Sequence, residues 1–263
     1  MDKPRVHHFH AEATALHAQL QHPLTQEIKP QNFVKLGKEG GYLSEHAKDY
    51  RVEGVVSYKS AHTHVAGHVS LKPDHGWVTL TTSSIERLNV LEVVTADRVV
   101  SQVSTEHPLK GHVPTVTFLG TRFENLRVGG VEVKFQVNPN LLFLRPQGPD
   151  KLYLEDADFL RQIGSSATFP GLQKQWDAHL QNPAKISKPT DRATGTLATG
   201  VSAGPWKVTG NVIEVPEFGK IILAELIVDC DTFQLTMIRL EMGCIAGGRM
   251  SGGVAITNGG TLP

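Results

Sequence analysis

The sequence predicts an all-β fold, mainly antiparallel and built as a sandwich or a barrel, with one short helical insertion. Three observations carry this. Apolar and polar residues alternate with period two over much of the chain, several alternating runs are joined by turn residues, and helical spacing occurs only in one region between blocks of strands.

In chain order, residues 54–71 and "WVTLTT" form a hairpin across "KPDHG", where Pro73 presets φ and Gly76 permits the exit. "DRVVSQVST" (97–105) and "TVTFL" (115–119) read as further strands. In "NLRVGGVEVKFQV", Val131, Val133, Phe135 and Val137 alternate with Glu132, Lys134 and Gln136 after Gly129-Gly130. A glycine pair supplies the positive φ that a two-residue hairpin turn requires. "YLEDADFLRQIG" places Phe159, Leu160 and Ile163 on one helical stripe with Gly164 as a stop, and a second short helix is expected from Pro170. Together these make a helical insertion over 152–182. Residues 183–210, rich in Gly, Pro, Ser, Thr and Ala, read as a flexible surface loop or lid. "IILAELIV" and "LTMIRL" give a third hairpin turning near Asp231-Thr232, and "GVAI" in the glycine-rich tail a last short strand. Strands, insertion, then strands suggest one domain over 1–263, completed by both chain ends, with the helices covering an open end or edge.

A single β domain of about 200–250 residues is common, and a chain of this size folds without a metal or disulfide staple. Lys plus Arg and Asp plus Glu are 26 each, with no block of like charge, which argues against nucleic acid or an anionic membrane as main partner. Cys230 falls beside the third hairpin's turn and Cys244 at its open end. Arms of about ten residues at about 3.4 Å each keep the sulfurs too far apart to bridge, so two free thiols are expected. "MDKPRVHHFH" has no signal-peptide core and no run reaches a spanning length, so a cytoplasmic location is expected, with the cell surface or secretion as the alternative.

The succession "SSIERLNVLEVVTADRVVSQVST…VTFLGTRFENLRVGGVEV", followed by "LTMIRLEMGC", resembles bacterial choice-of-anchor P surface proteins in strand arrangement, over roughly residues 80–137 and 212–244. The resemblance implies a β domain and brings no catalytic residues; this chain shows no recognisable signal, sorting motif or lipid anchor.

"SAHTHVAGHVS" supplies the candidate metal ligands. On an extended strand His62, His64 and His68 share one side, and Val65, Val69 and Leu71 share the core side. Residues two apart sit about 6.5–7 Å from each other, a span two imidazoles can bridge through a divalent transition metal, whereas His68 is out of reach. His8 and His10 repeat the spacing, and two such pairs on neighbouring strands could form a four-nitrogen site. The competing expectation is a solvated histidine face with no cofactor. Glu155, Asp156 and Asp158 suit either calcium or, more simply, the positive end of a helix. Arg122, Glu124 and Arg127 suit a salt-bridged exposed face. No G-x-S-x-G elbow or phosphate loop is present. The function these features favour is a non-enzymatic structural or binding domain acting by self-association as a homo-oligomer or by association with another protein. The alternative is a small-ligand-binding or metal-dependent barrel enzyme with a His-lined cavity.

Overall fold

The computed structural model describes residues 6–21, 25–52, 54–73, 75–138, 141, 143–144, 151–163, 192–229, 232–243 and 247–258. Its strands are β1 (Ala11–Leu20), β2 (Gln26–Gln31), β3 (Val34–Lys35), β4 (Gly41–Val52), β5 (Val56–Val69), β6 (His75–Val90), β7 (Val94–Pro108), β8 (Thr115–Thr117), β9 (Arg122–Glu124), β10 (Arg127–Val128), β11 (Val131–Glu132), β12 (Lys134–Val137), β13 (Phe143–Leu144), β14 (Arg192–Thr196), β15 (Ala198–Ser202), β16 (Lys207–Thr209), β17 (Val212–Val215), β18 (Gly219–Asp229), β19 (Thr232–Met242) and β20 (Gly248–Asn258). A 3-10 turn (Tyr153–Glu155) leads into helix α1 (Ala157–Ile163).

Two antiparallel sheets stack face to face. The first runs β16-β17-β18-β19-β20-β1-β2, with β14 beside β18 and β3 beside β1. The second runs β11-β10-β7-β6-β5-β4, with β8 and β9 also on β7 and β13 on β8. No barrel closes among the described residues, so the architecture is the sandwich of the two expected forms. The chain ends complete it together: β1 pairs with β20 from Ala11↔Thr257 to Leu20↔Gly248.

The expected hairpins form. β5 and β6 pair from Val56↔Val90 to Val69↔Trp77, and β18 and β19 from Gly219↔Met242 to Val228↔Phe233. The Asp229 carboxylate accepts from the Thr232 backbone N–H (2.6 Å) and hydroxyl (2.9 Å), shaping the turn. Gly129 (φ 55°) and Gly130 (φ 78°) make the two-residue turn between β10 and β11. Its second arm soon leaves: β12 pairs with β15 as a separate two-stranded ribbon. Helix α1 buries Phe159, Leu160 and Ile163, as its stripe requires. Gly164, the helix expected from Pro170, Cys230 and Cys244 lie outside the described residues.

One expectation is corrected. Within the loop expected over 183–210, residues 192–209 contain β14, β15 and β16. β14 pairs with β18 from Arg192↔Asp229 to Thr196↔Glu225, and Gly195 packs so closely on Ile163 that a Cβ there would meet its atoms at 2.7 Å. Small residues permit that approach, so the composition that reads as a loop serves packing instead.

Both sheets carry a transverse kink. In the second sheet the ladder skips Asp49, Lys59, Arg87 and Asp97 without slipping register, because Lys48↔Ser60 and Tyr50↔Tyr58, then Glu86↔Arg98 and Leu88↔Ala96, flank the gap. Asp49 (φ 54°) and Arg87 (φ 53°) are left-handed. A left-handed residue reverses the inward-outward alternation: on β6 the inward face carries the buried Thr79, Thr81, Ser83 and Ile85 before Arg87, and Leu88 and Val90 after it. The first sheet does the same along Ala224 (φ 47°), Met237, Gly253 (φ 64°) and Ala15. Gly253 of this row sits against Val99 of β7, two residues beyond Asp97.

The interface between the sheets is partly polar. Thr81 donates to the Ile256 carbonyl (3.0 Å), Ser83 to Thr14 (2.9 Å) and Ser101 to Leu235 (3.3 Å), and the Thr105 and Thr257 hydroxyls bond each other (3.2 Å). All five side-chain donors or acceptors belong to buried residues, and each such bond contributes about 0.5–1.5 kcal/mol net.

Candidate functional site

The outer face of the second sheet gathers the histidines of β5. His62 stands opposite His46 of β4 and Ser84 of β6; His64 stands opposite Ser44 and Thr82. The rings of His62 and His64 lie 5.6 Å apart, those of His46 and His62 6.3 Å, and Tyr42 stacks on His64 at 6.1 Å. His62 is exposed and His64 half-buried, with its Nδ1 enclosed and lacking a hydrogen-bond partner. Burial, and then the neighbouring His62 charge, push the His64 pKa below the usual imidazole value, so His64 is neutral at pH 7.

His8 and His10 lie elsewhere, at the approach to β1 in the first sheet. Asn258 clamps them there: its Oδ1 accepts from the His10 backbone N–H (2.7 Å), and its Nδ2 donates to the His8 carbonyl (3.3 Å). The His10 ring meets Glu12 at 3.2 Å, and Glu12 also pairs with Lys35 at 2.7 Å. The two pairs therefore occupy different sheets. Among the described residues no group of three or more His, Cys, Asp or Glu side chains is disposed to hold a metal ion.

The strand alternation places Val65 in the core, but Val69 is 60% and Leu71 97% exposed. These two lie at and beyond the end of β5, where the sandwich no longer covers the inner face, so side-chain direction alone does not bury them. The acidic residues before α1 cap it: Asp156 Oδ1 accepts from the backbone N–H groups of Asp158 (2.9 Å) and Phe159 (3.2 Å). Arg122 pairs with Glu124 at 2.8 Å, and Arg98 bridges Glu86 (2.5 Å) and Glu124 (3.7 Å). Arg127 stays out of this network.

Beyond the kink, pairing lines up Arg51, Ser57, Asn89, Thr95 and Arg127 across β4, β5, β6, β7 and β10. Reversed alternation turns this polar row outward. Two open clefts share Ser57 and Asn89: one of about 370 Å³ extends to Arg51 and Glu92, the other, of about 420 Å³, to Arg87, Asp97 and Arg127. Neither lining contains a histidine or cysteine. Sequence reasoning missed these clefts because their residues come from five strands and share no local motif. The one local signal is the alternation of polar Arg87 and Asn89 with apolar Leu88, Val90 and Leu91.

Residues 7–229 match the family model of a domain of unknown function, DUF8256. The chain belongs to this family. The DUF8256 match spans β1 to β18, so both histidine pairs and both clefts fall within it, while β19 and β20, which finish the first sheet, follow it. No curated protein and no solved structure matches the chain. Nothing in these comparisons links this DUF8256 chain to choice-of-anchor P proteins.

Proposed function

We propose that this DUF8256 protein is a non-enzymatic binding domain that acts by association, its partner being a second copy of the chain. The observation that supports this is β4. It ends the second sheet, and none of its twelve residues is buried. Ordering a strand costs about 1–2 kcal/mol per residue in backbone entropy, which most strands offset by burying one face. β4 offsets it only in part, through its pairing with β5, a short contact with β3 and the half-buried Ala47, Tyr50 and Val52 against the core. It also presents Tyr42 (63% exposed) on its outer side and Leu43 (47% exposed) on the side of the buried Val65. Covering this strand in a dimer supplies the missing burial, because an exposed edge is a template for pairing.

Light scattering coupled to size exclusion tests this. A dimer is expected for the wild type, and Tyr42→Lys together with Leu43→Lys should convert it to a folded monomer. A wild type that stays monomeric over the accessible concentration range overturns the proposal. A second reading, capture of a divalent transition metal by His62 and His64, draws on their 5.6 Å ring separation and the neutral state of His64. Metal content of protein purified without affinity tags, compared with that of His62→Ala, tests it.

A further inference from the structure

We propose that the cleft between Arg87 and Arg127 binds an oxyanion, the carboxylate or phosphate group of a small polar ligand. This goes beyond association through β4, since the cleft is built from β5, β6, β7 and β10. Its volume of about 420 Å³ suits a small molecule.

Three features point to the ligand's charge. Both guanidiniums are exposed, and neither has a carboxylate partner among the described residues; that of Arg127 reaches only the Gly130 carbonyl, at 3.5 Å. The neighbouring Arg98 and Arg122, by contrast, are paired with Glu86 and Glu124. The carboxylate in the cleft, Asp97, is already held by the Asn125 amide at 2.6 Å. Neutral donors complete the lining. Asn89 uses its Oδ1 to accept from the Glu92 backbone N–H (2.9 Å), which leaves its NH₂ as a donor beside the hydroxyls of Ser57 and Thr95. Planar guanidiniums flanked by such donors recognise carboxylate and phosphate oxygens in preference to neutral groups.

The backbone at Arg87 supports the same conclusion. A long side chain at φ 53° in a strand costs about 1–3 kcal/mol, which glycine would avoid. At Arg87 a backbone conformation that favours glycine carries arginine, and that arginine lines the cleft.

Binding of inorganic phosphate and of succinate should be measured by calorimetry at low ionic strength on the wild type, Arg87→Gly, Arg127→Gln and Arg122→Gln. Saturable wild-type binding of either probe is expected, and which one binds tighter identifies the oxyanion. Arg87→Gly should unfold at the same or a higher temperature than the wild type yet bind at least about tenfold more weakly. Arg127→Gln should weaken binding comparably, and Arg122→Gln should leave it unchanged. Failure of both probes to bind in the millimolar range overturns the proposal. So does a loss in Arg122→Gln equal to that in the cleft variants, which would reveal a diffuse charge effect.

Discussion

Gly252 and Gly253 are adjacent on β20, and the structure predicts opposite responses to the same added methyl. At Gly253 the backbone is left-handed (φ 64°), and a Cβ would lie 3.2 Å from Val99 Cγ1, 3.3 Å from Met237 Cβ and 3.4 Å from Met237 Cγ. The left-handed conformation costs an alanine about 1–2 kcal/mol, and crowding in a packed core adds about 1–3 kcal/mol. Together the two costs make Gly253→Ala destabilising by about 2–5 kcal/mol. At Gly252 φ is not left-handed, and the nearest atoms to a Cβ are Ile85 Cδ1 at 3.6 Å and the Ala15 carbonyl oxygen at 3.8 Å, which is ordinary contact. Gly252→Ala should therefore be neutral, or stabilising by about 0.4–1 kcal/mol through the unfolded chain. Urea unfolding of the two variants beside the wild type reads this directly. In a thermal melt Gly253→Ala should fall by roughly 4–20 °C. Equal destabilisation of both variants would refute the kink geometry, because it would mean that neither glycine has a special backbone.

Three further expectations can be checked by similar means. Glu225, only 4% exposed at its side chain, is held bidentately by Arg239 at 2.8 and 2.9 Å, so Arg239→Ala should cost about 3–5 kcal/mol in urea unfolding, whereas Glu225→Met with Arg239→Leu should cost much less. Burial followed by the His62 charge lowers the His64 pKa. The unfolded chain then binds more protons than the folded one, so stability is full above about pH 6.5 and falls as pH drops from there towards the folded His64 pKa; His64→Gln should flatten that slope, and an unchanged slope would place His64 in water. Val133 is 6% exposed while Glu132 and Lys134 are exposed, so Val133→Asp should prevent or severely weaken folding, and Glu132→Ala and Lys134→Ala should unfold as the wild type does.

Where local chemistry is decisive, the sequence by itself determined the structure. The glycine pair at 129–130 dictates its turn because only glycine takes two positive φ values cheaply, Asp156 caps α1 through its own neighbours, and the β5-β6 and β18-β19 arms pair because their turns are short. Period-two alternation likewise declared the fold class. Tertiary structure decided the rest. β1, "AEATALHAQL", buries Ala11 and Ala13 on one side of its kink and Leu16, Ala18 and Leu20 on the other, so its period shifts midway and no single alternation can be read from it. The left-handed residues at Asp49, Arg87 and Ala224 leave no local mark, since the strands beside them hold those conformations in place. Whether a correctly directed side chain is buried was also beyond the sequence: Val65 and Leu43 face each other across β5 and β4, yet one is sealed and the other is 47% exposed. The pleat sets the direction of each side chain, but only the position of the opposite sheet determines whether anything covers it.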